Sequence, residues 1–207
     1  MQPVITNPNE IEKNSMQIIE DNVPELHNLP HEHKEIIKRV IHTTGDLTFG
    51  NLVYIHPKAV SSGLSAIRSG RTIVTDINML KTGINKNRLE KLGINAYCYI
   101  AEPQVIEESK RTGLTRAMIA MRLAAREAKD GIIAIGNAPT ALFTLCDLIK
   151  SGEASPSLVI GTPVGFVGAK ESKDLLMQMD IPHITVPGTK GGSTIAAAIV
   201  NALLYLA

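Results

Sequence analysis

The chain has 207 residues, enough to bury a substantial hydrophobic core within one domain of medium size. Its 21 Lys and Arg residues nearly balance its 20 Asp and Glu residues, so no broad electric field draws it to nucleic acid or to an acidic membrane. Three Phe, four Tyr and no Trp provide few aromatic platforms for stacking bases, which also argues against a single-strand nucleic-acid binder.

The N-terminal residues 1–6 lack the basic and apolar regions of a signal peptide, which predicts a cytoplasmic protein. A first helix is predicted to start at Asn7 and Pro8. Its inner face is expected to carry Ile11, Ser15, Ile18 and Ile19. Ser15 interrupts this apolar stripe, and its hydroxyl either bonds back to its own helix, which the spacing slightly favours, or lines a pocket as a donor.

A second helix is predicted from the spacing of Ile36, Ile37, Val40 and Ile41, with Gly45 as its left-handed end. His42 then lies in the last turn, next to the core face and close to an end that a ligand could reach. The carbonyl end of a helix favours the imidazolium form. This stretch leaves two interpretations open: an acid that protonates a ligand, or a half-buried histidine that only caps the helix.

From residue 71 the pattern changes to short apolar runs that alternate with helical stretches, and this alternation is typical of βα units around a parallel sheet. Residues 1–70 are thus expected to form an N-terminal helical part that carries His42, and residues 71–207 a βα-repeat part of the same domain. Within the first part, residues 47–55 have weak strand character. The five predicted strands are 72–77, 96–100, 132–135, 158–160 and 184–186, and the main helices after them are 86–92, 115–128, 139–150, 169–179 and 193–206.

Ligands of such sheets bind at the carboxyl ends of the strands, and here those ends carry a carboxylate and several glycines. Asp76 follows the first strand, and glycine-bearing turns follow the third, fourth and fifth. Such turns can present free backbone N–H groups to an anion, and Lys190 adds a formal charge. The alternative is that the glycines only make the short turns that any α/β domain needs. A phosphate loop is not indicated, because Lys190 precedes Gly191 instead of following a glycine.

Arg116 is predicted in the first turn of a helix capped by Thr115, where the helix dipole disfavours a cation. A salt bridge to Glu107 or Glu108 would explain this placement, and so would a carboxylate on a ligand.

Together these features describe a pocket for a ligand with several negative groups and a histidine that can donate a proton. Neither a nucleophile–base pair nor a metal-binding constellation is evident, which favours rearrangement or proton-assisted chemistry over hydrolysis.

Two cysteines and the C-terminal apolar stretch complete this picture. Cys98 and Cys146 lie within apolar runs and are expected to be reduced core thiols. The stretch 195–207 is interrupted by Asn201 and is too short to span a bilayer. The sequence therefore predicts a soluble protein without a membrane, metal or nucleic-acid partner.

Several segments, distributed in order over nearly the whole chain, resemble the precorrin-8X methylmutases, called cobalt-precorrin-8 methylmutases in the anaerobic route of cobalamin biosynthesis. The most specific are 134–142 (AIGNAPTAL) and 161–173 (GTPVGFVGAKESK). The others are Ser15 and Met16 with 18–20 (IIE), 40–46 (VIHTTGD), 76–79 (DINM), 115–117 (TRA) and 188–193 (GTKGGS).

The resemblance implies a three-layer α/β/α sandwich with a parallel, flavodoxin-like, five-stranded sheet. It also implies a homodimer with its site near the subunit interface. The implied reaction moves a methyl group from C-11 to C-12 of a corrin precursor, without a redox cofactor, to give hydrogenobyrinate or its cobalt counterpart, cobyrinate. By this likeness His42 is the proton donor, Ser15 and Arg116 line the pocket, and residues 188–193 hold the peripheral acetate and propionate groups. The substrate-binding residues expected in total are Ser15, Asp76, Arg116, Asn137, Gly188, Lys190, Gly191, Gly192 and Ser193.

Two other classes of function compete with the methylmutase. A protein that only sequesters a corrinoid would bind the same ligand, but it would have no need of a proton donor such as His42 at the ring. A flavodoxin-type nucleotide or flavin domain is disfavoured because the phosphate loop is absent and aromatic residues are scarce.

Overall fold

A computed structural model describes residues 6–207. The predicted absence of a signal peptide concerns residues 1–6, and residues 1–5 lie outside the described part. The described part contains six strands and eleven α-helices, and a 3-10 helix spans Pro24–Asn28. The strands are β1 (Tyr54–Ile55), β2 (Ile73–Thr75), β3 (Ala96–Cys98), β4 (Ile132–Ile135), β5 (Leu158–Gly161) and β6 (His183–Thr185). The helices are α1 (Pro8–Asn22), α2 (His31–Thr44), α3 (Phe49–Leu52), α4 (Ala59–Arg68), α5 (Asn78–Gly83), α6 (Lys86–Leu92), α7 (Pro103–Thr112), α8 (Arg116–Glu127), α9 (Pro139–Lys150), α10 (Ala169–Met177) and α11 (Ser193–Leu206).

The six strands form one sheet in the order β1-β6-β5-β4-β2-β3. All neighbouring strands are parallel except β1, which pairs antiparallel with β6 at the edge. The five strands that the sequence predicts are confirmed; the strand at 132–135 has the predicted ends, and the other four have small shifts of their ends. The prediction of a five-stranded, wholly parallel sheet is wrong, because the segment with weak strand character adds a two-residue antiparallel edge strand that is too short to show a periodic pattern.

Helices cover both faces of the sheet, and successive strand residues alternate between two cores, as the pleat requires. Ile73 of β2 belongs to the core under α1, α2, α4, α5 and α11. Val74, its neighbour, belongs to the core under α8, α9 and α10. Because helices cover both faces, the place where a ligand of such a sheet binds is the edge formed by the loops at the carboxyl ends of the strands.

The first helix packs less deeply than its sequence suggests. Among the residues expected on its inner face, Ile19 is buried, whereas Ile11 and Ile18 are 45% and 61% exposed. Ion pairs add to the contact with α2, including one between Glu12 and Arg39 at 3.1 Å. The expectation of a buried stripe is therefore wrong for Ile11 and Ile18.

Helices α3, α5 and α7 were not expected from the sequence. The first two are only four and six residues long, and α7 buries a single side chain, Val105, so none shows a clear apolar stripe. Within residues 6–207, no helix has the length and apolar character needed to cross a membrane.

Candidate functional site

Three loops at the carboxyl edge of the sheet touch one another and form what we call the rim. Gly192 donates its backbone N–H to the carbonyl oxygen of Thr162 at 2.7 Å. Gly136 packs directly on the backbone of Ser193, since a Cβ at Gly136 would lie 2.6 Å from the Cα of Ser193. The glycine-bearing turns thus share one edge, as the sequence predicts. The rim consists of residues 136–138 after β4, 162–168 after β5 and 187–192 after β6.

Asp76 lies beneath the rim and is only 3% exposed. Its Oδ1 accepts the N–H of Gly136 at 3.0 Å, and its Oδ2 accepts those of Asn137 at 2.9 Å and Ala138 at 2.8 Å. Burial raises the pKa of this carboxyl, and the three amide donors oppose that effect. The amides of this turn already bind a carboxylate of the protein, so the expectation that they are free for an external anion is wrong. The side chain of Asn137 is exposed on the same turn.

The loop after β6 has a backbone that requires glycine at several positions. Gly188 and Gly192 have φ values of 82° and 129°, a region that residues with a Cβ rarely adopt. Gly191 has no room for a side chain, because a Cβ there would lie 2.3 Å from the carbonyl oxygen of Thr162. Helix α11 starts at Ser193, and no side chain of residues 6–207 caps the N–H groups of its first turn.

Lys190 connects this loop to the turn that follows α2. Its Nζ lies 2.7 Å from Oδ2 of Asp46 and 2.9 Å from Oγ1 of Thr48. The ammonium also lies over the ring of Phe49, 5.2 Å from its centroid. Hydrogen bonds from Lys190 and Thr48 lower the pKa of Asp46 to about 2. The one formal charge that the sequence places in this loop is thus held at the rim by an ion pair.

His42 lies in the last turn of α2, four residues before Asp46, and its side chain is exposed. The end of the helix is capped by other groups. Gly45 has a left-handed backbone, and its N–H donates to the carbonyl of Ile41 at 2.8 Å. The hydroxyl of Thr44 donates to the carbonyl of Val40 at 2.9 Å. The imidazole makes no hydrogen bond to any of residues 6–207. The geometry therefore does not support the alternative that His42 only caps the helix.

Arg116 is the first residue of α8 and is exposed. The hydroxyl of its N-cap, Thr115, lies 3.3 Å from that of Thr140, which places the start of α8 beside the rim turn before α9. Of the two partners expected for a structural salt bridge, Glu108 bonds to Arg111 at 2.6 Å instead, and Glu107 has no ion pair with Arg116. Within residues 6–207, the Arg116 guanidinium has no carboxylate within 4.0 Å and is available to a ligand.

Ser15 is half-buried on α1, and its hydroxyl donates to the carbonyl of Ile11 at 2.8 Å. This is the back-bond that its spacing favoured. Helix α1 packs on α2, so Ser15 lies on the helix next to the one that carries His42. The Ser15 hydroxyl makes no hydrogen bond to the rim, and its role in the pocket stays a prediction.

Sequence reasoning missed three residues at or next to the rim. Lys173 is completely buried, and its Nζ donates to the carbonyl oxygen of Lys190 at 2.7 Å. Phe166 and Val167 are 93% and 90% exposed on the rim. A lysine within the apolar stripe of α10 was a signal that could have been read, whereas the exposure of Phe166 and Val167 depends on how their loop folds.

The larger clefts are not lined by rim residues. Their volumes are about 560 Å³ between the start of α2 and α4, about 510 Å³ between α5 and α6, and about 490 Å³ between α8 and α9. None is lined by any residue that the sequence predicts for the site. In the part of the chain that the structure describes, no three His, Cys, Asp or Glu side chains gather as metal ligands would. The candidate site is therefore the open rim with the end of α2.

Comparisons with known proteins match one family, the precorrin-8X methylmutases, over almost the entire chain. A family model described as precorrin-8X methylmutase matches residues 10–206. The chain is 47% identical over 205 residues to a cobalt-precorrin-8 methylmutase of Priestia megaterium, covering 99% of this chain and 91% of that one. It is 35% identical over 180 residues to a precorrin-8X methylmutase of Pseudomonas aeruginosa, covering 86% of each.

A solved structure has the same fold. The crystal structure of precorrin-8x methyl mutase from Thermus thermophilus superposes with a TM-score of 0.89 at 37% identity. The superposition covers 96% of this chain and 95% of that one.

Proposed function

The chain belongs to the precorrin-8X methylmutase family, and we propose that it moves a methyl group from C-11 to C-12 of precorrin-8 or cobalt-precorrin-8. The product would be hydrogenobyrinate or cobyrinate. The observation that carries this proposal is the contact between Lys190 and Asp46. This contact places a loop suited to carboxylates beside the helix end with His42, whose imidazole has no hydrogen-bond partner in residues 6–207. The proposed substrate is a polycarboxylate that must be protonated.

Binding of the substrate would rely on the periphery of the ring. The loop after β6 offers Lys190 and the uncapped N-terminus of α11, both of which attract carboxylates. Arg116 is a further cation without a carboxylate partner in residues 6–207. Acetate and propionate groups of the macrocycle would bind here and fix the ring against the rim.

His42 would then donate a proton to the ring system near the migrating methyl group. The methyl group moves with its bonding pair from C-11 to C-12, and the ring returns a proton, so that the reaction is an isomerisation with no net change in protons or electrons. Protonation lowers the barrier because the migrating group moves toward an electron-deficient carbon. The exposure of His42 and its lack of a partner within residues 6–207 support this role, since its proton can reach a ligand.

We further propose that the chain forms a homodimer whose interface lies near the site. The support is the almost complete exposure of Phe166 and Val167, two large apolar side chains on the rim. Their loop is held in place, because Gly165 donates to the carbonyl of Thr189 at 3.1 Å. A fixed loop that presents apolar side chains to water is typical of a contact surface.

The remaining finer assignments are also proposals. The parallel strands lie in the order β3-β2-β4-β5-β6, which corresponds to the 2-1-3-4-5 order of flavodoxin-like sheets and supports placing the fold in that class with β1 as an added edge strand. The match of one family model over residues 10–206 supports a single domain. A cytoplasmic location fits an enzyme that uses a biosynthetic intermediate.

The proposed reaction is tested by incubating the protein with precorrin-8 and, separately, with cobalt-precorrin-8, each labelled with carbon-13 in the C-11 methyl group. We expect the absorbance of at least one of them to change to that of its product, and the labelled methyl resonance to move to a position attached to C-12. Binding with no movement of the label would favour the corrinoid carrier, and a failure to bind either compound would contradict the proposal.

A further inference from the structure

Helix α10 has a lysine in its buried stripe. Its buried residues are Ala169, Ser172, Lys173 and Leu176, a spacing that normally carries apolar side chains packed against a sheet. Lys173 is 0% exposed. Burial of an ammonium group is unfavourable unless the group is well paired, so a lysine at this position calls for a specific partner.

The partner of Lys173 is a peptide carbonyl and not a carboxylate. Its Nζ donates to the carbonyl oxygen of Lys190 at 2.7 Å. No carboxylate of residues 6–207 lies within 4.0 Å of this ammonium, and the neighbouring Asp174 pairs with Lys170 instead. Burial lowers the pKa of Lys173 to about 8. Lys173 therefore holds the loop after β6 through one backbone oxygen. It does so although burial disfavours its charged form and it has no ion pair with residues 6–207.

This bond sets the orientation of one peptide group. The peptide between Lys190 and Gly191 is trans, since the described chain has no cis peptide bonds. In a trans peptide the C=O and the N–H point in opposite directions. Because the carbonyl of Lys190 points toward the buried ammonium of Lys173, the N–H of Gly191 points away from that ammonium.

The N–H of Gly191 donates to no acceptor in residues 6–207, whereas its neighbour Gly192 donates to Thr162 at 2.7 Å. The turn after β4 is arranged in the opposite way, because Asp76 binds its three amides from below. The Asp76 carboxylate thus occupies the amides of one rim loop, whereas in the other loop, which Lys173 holds through a carbonyl, the amide of Gly191 has no acceptor within residues 6–207.

We infer that Lys173 is a positioning residue: it fixes the 190–191 peptide so that the N–H of Gly191 donates to a peripheral carboxylate of the substrate. This inference rests on the proposed function. It assigns Lys173 no contact with the ligand and no part in the proton transfer.

The test compares Lys173→Met with wild type and with Lys170→Met, a control on the exposed face of the same helix. Binding of hydrogenobyrinate is measured by absorbance titration, KM and kcat are measured with precorrin-8, and unfolding is followed by heat. We expect Lys173→Met to weaken binding and raise KM about tenfold, which corresponds to the loss of one hydrogen bond to a charged group. Its kcat and melting temperature should remain close to those of wild type, and Lys170→Met should behave as wild type in every measurement.

A second measurement does not depend on the variant folding. The amide resonance of Gly191 in nitrogen-15-labelled wild type is followed as hydrogenobyrinate is added, and we expect a downfield proton shift as its N–H acquires an acceptor. An unchanged Gly191 resonance on saturation overturns the inference, and so does wild-type affinity in a folded Lys173→Met protein. Either result leaves the proposed function intact if wild type converts precorrin-8, whereas wild type that neither binds nor converts it refutes the proposed function itself.

Discussion

The Nζ of Lys190 lies 2.7 Å from Oδ2 of Asp46, a residue 144 positions earlier in the chain. This ion pair joins the loop after β6 to the turn after α2. It is also the contact that brings the candidate anion site and the candidate proton donor together, because His42 lies one helical turn before Asp46. The N-terminal helical part and the βα-repeat part therefore both contribute to one site.

Replacement of Lys190 by Met should weaken substrate binding while leaving the chemistry largely intact. Under the proposed function the ammonium binds a peripheral carboxylate and takes no part in the methyl shift, so we expect KM to rise about tenfold and kcat to change less than about threefold. The melting temperature should change little, because exposed ion pairs contribute little to stability. Steady-state kinetics with precorrin-8 provide the measurement, and Lys86→Met, on an exposed lysine of α6, is the control. An unchanged KM would show that Lys190 does not bind the substrate.

Replacement of Asp76 by Asn should destabilise the fold. The asparagine amide retains one acceptor oxygen and turns an N–H₂ group toward backbone donors, so at least one of the three buried amides loses its partner. We expect the free energy of unfolding to fall by about 2–4 kcal/mol, measured by urea denaturation. Asp174→Asn, at an exposed carboxylate of α10, should have almost no effect. Equal stability of Asp76→Asn and wild type would mean that the amide bonds do not hold the rim turn.

Lys173 should make stability depend on pH in alkaline solution. Its pKa is about 8 in the folded protein and about 10.5 in the unfolded chain. Between these values the unfolded chain binds a proton that the folded protein has released, so this group makes the free energy of unfolding rise with pH. Urea denaturation below, within and above this range should show the rise in wild type and a smaller one in Lys173→Met. Identical pH dependence in the two proteins would contradict a lowered pKa.

Substitution of Phe166 and Val167 by Ser should shift the protein from dimer to monomer. Both side chains are nearly fully exposed in the isolated chain, and their burial in a contact would supply much of its apolar area. Sedimentation over a range of micromolar concentrations measures the equilibrium. Met177→Ser, which removes another exposed apolar side chain, is the control. A wild-type protein that is monomeric throughout would contradict the proposed homodimer.

The alternation of apolar runs and helices was sufficient to predict five strands and the edge where their loops meet. This works because a strand buried on both faces has a continuous apolar pattern that few other elements share. The end of α2 at Gly45 was predicted from the same kind of local signal. The edge strand β1 could not be predicted, because two residues are too few to show a periodic pattern. This strand forms through its pairing with β6, which is distant in sequence.

The chemistry of the site could be predicted less well, because it depends on contacts between distant residues. The sequence places Asp76 and three glycine-bearing turns at one edge, but it does not show that Asp76 occupies the amides of one turn. Nor does it show that Lys190 pairs with Asp46, or that Lys173 is buried. The four charged residues of these contacts were each visible in the sequence, while their partners are determined by the packing of α2, α10 and the rim.

The central claim is that His42 donates the proton for the methyl shift, and one comparison tests it directly. Wild type, His42→Ala and His31→Ala, a control at an exposed histidine in the first turn of the same helix, are each mixed in excess with precorrin-8, and the absorbance spectrum is followed. We expect wild type and His31→Ala to give the product spectrum. His42→Ala should bind the ligand but convert it at least about 100-fold more slowly, the scale of a lost general acid. Conversion at the wild-type rate by His42→Ala would contradict the assignment of the acid to this residue.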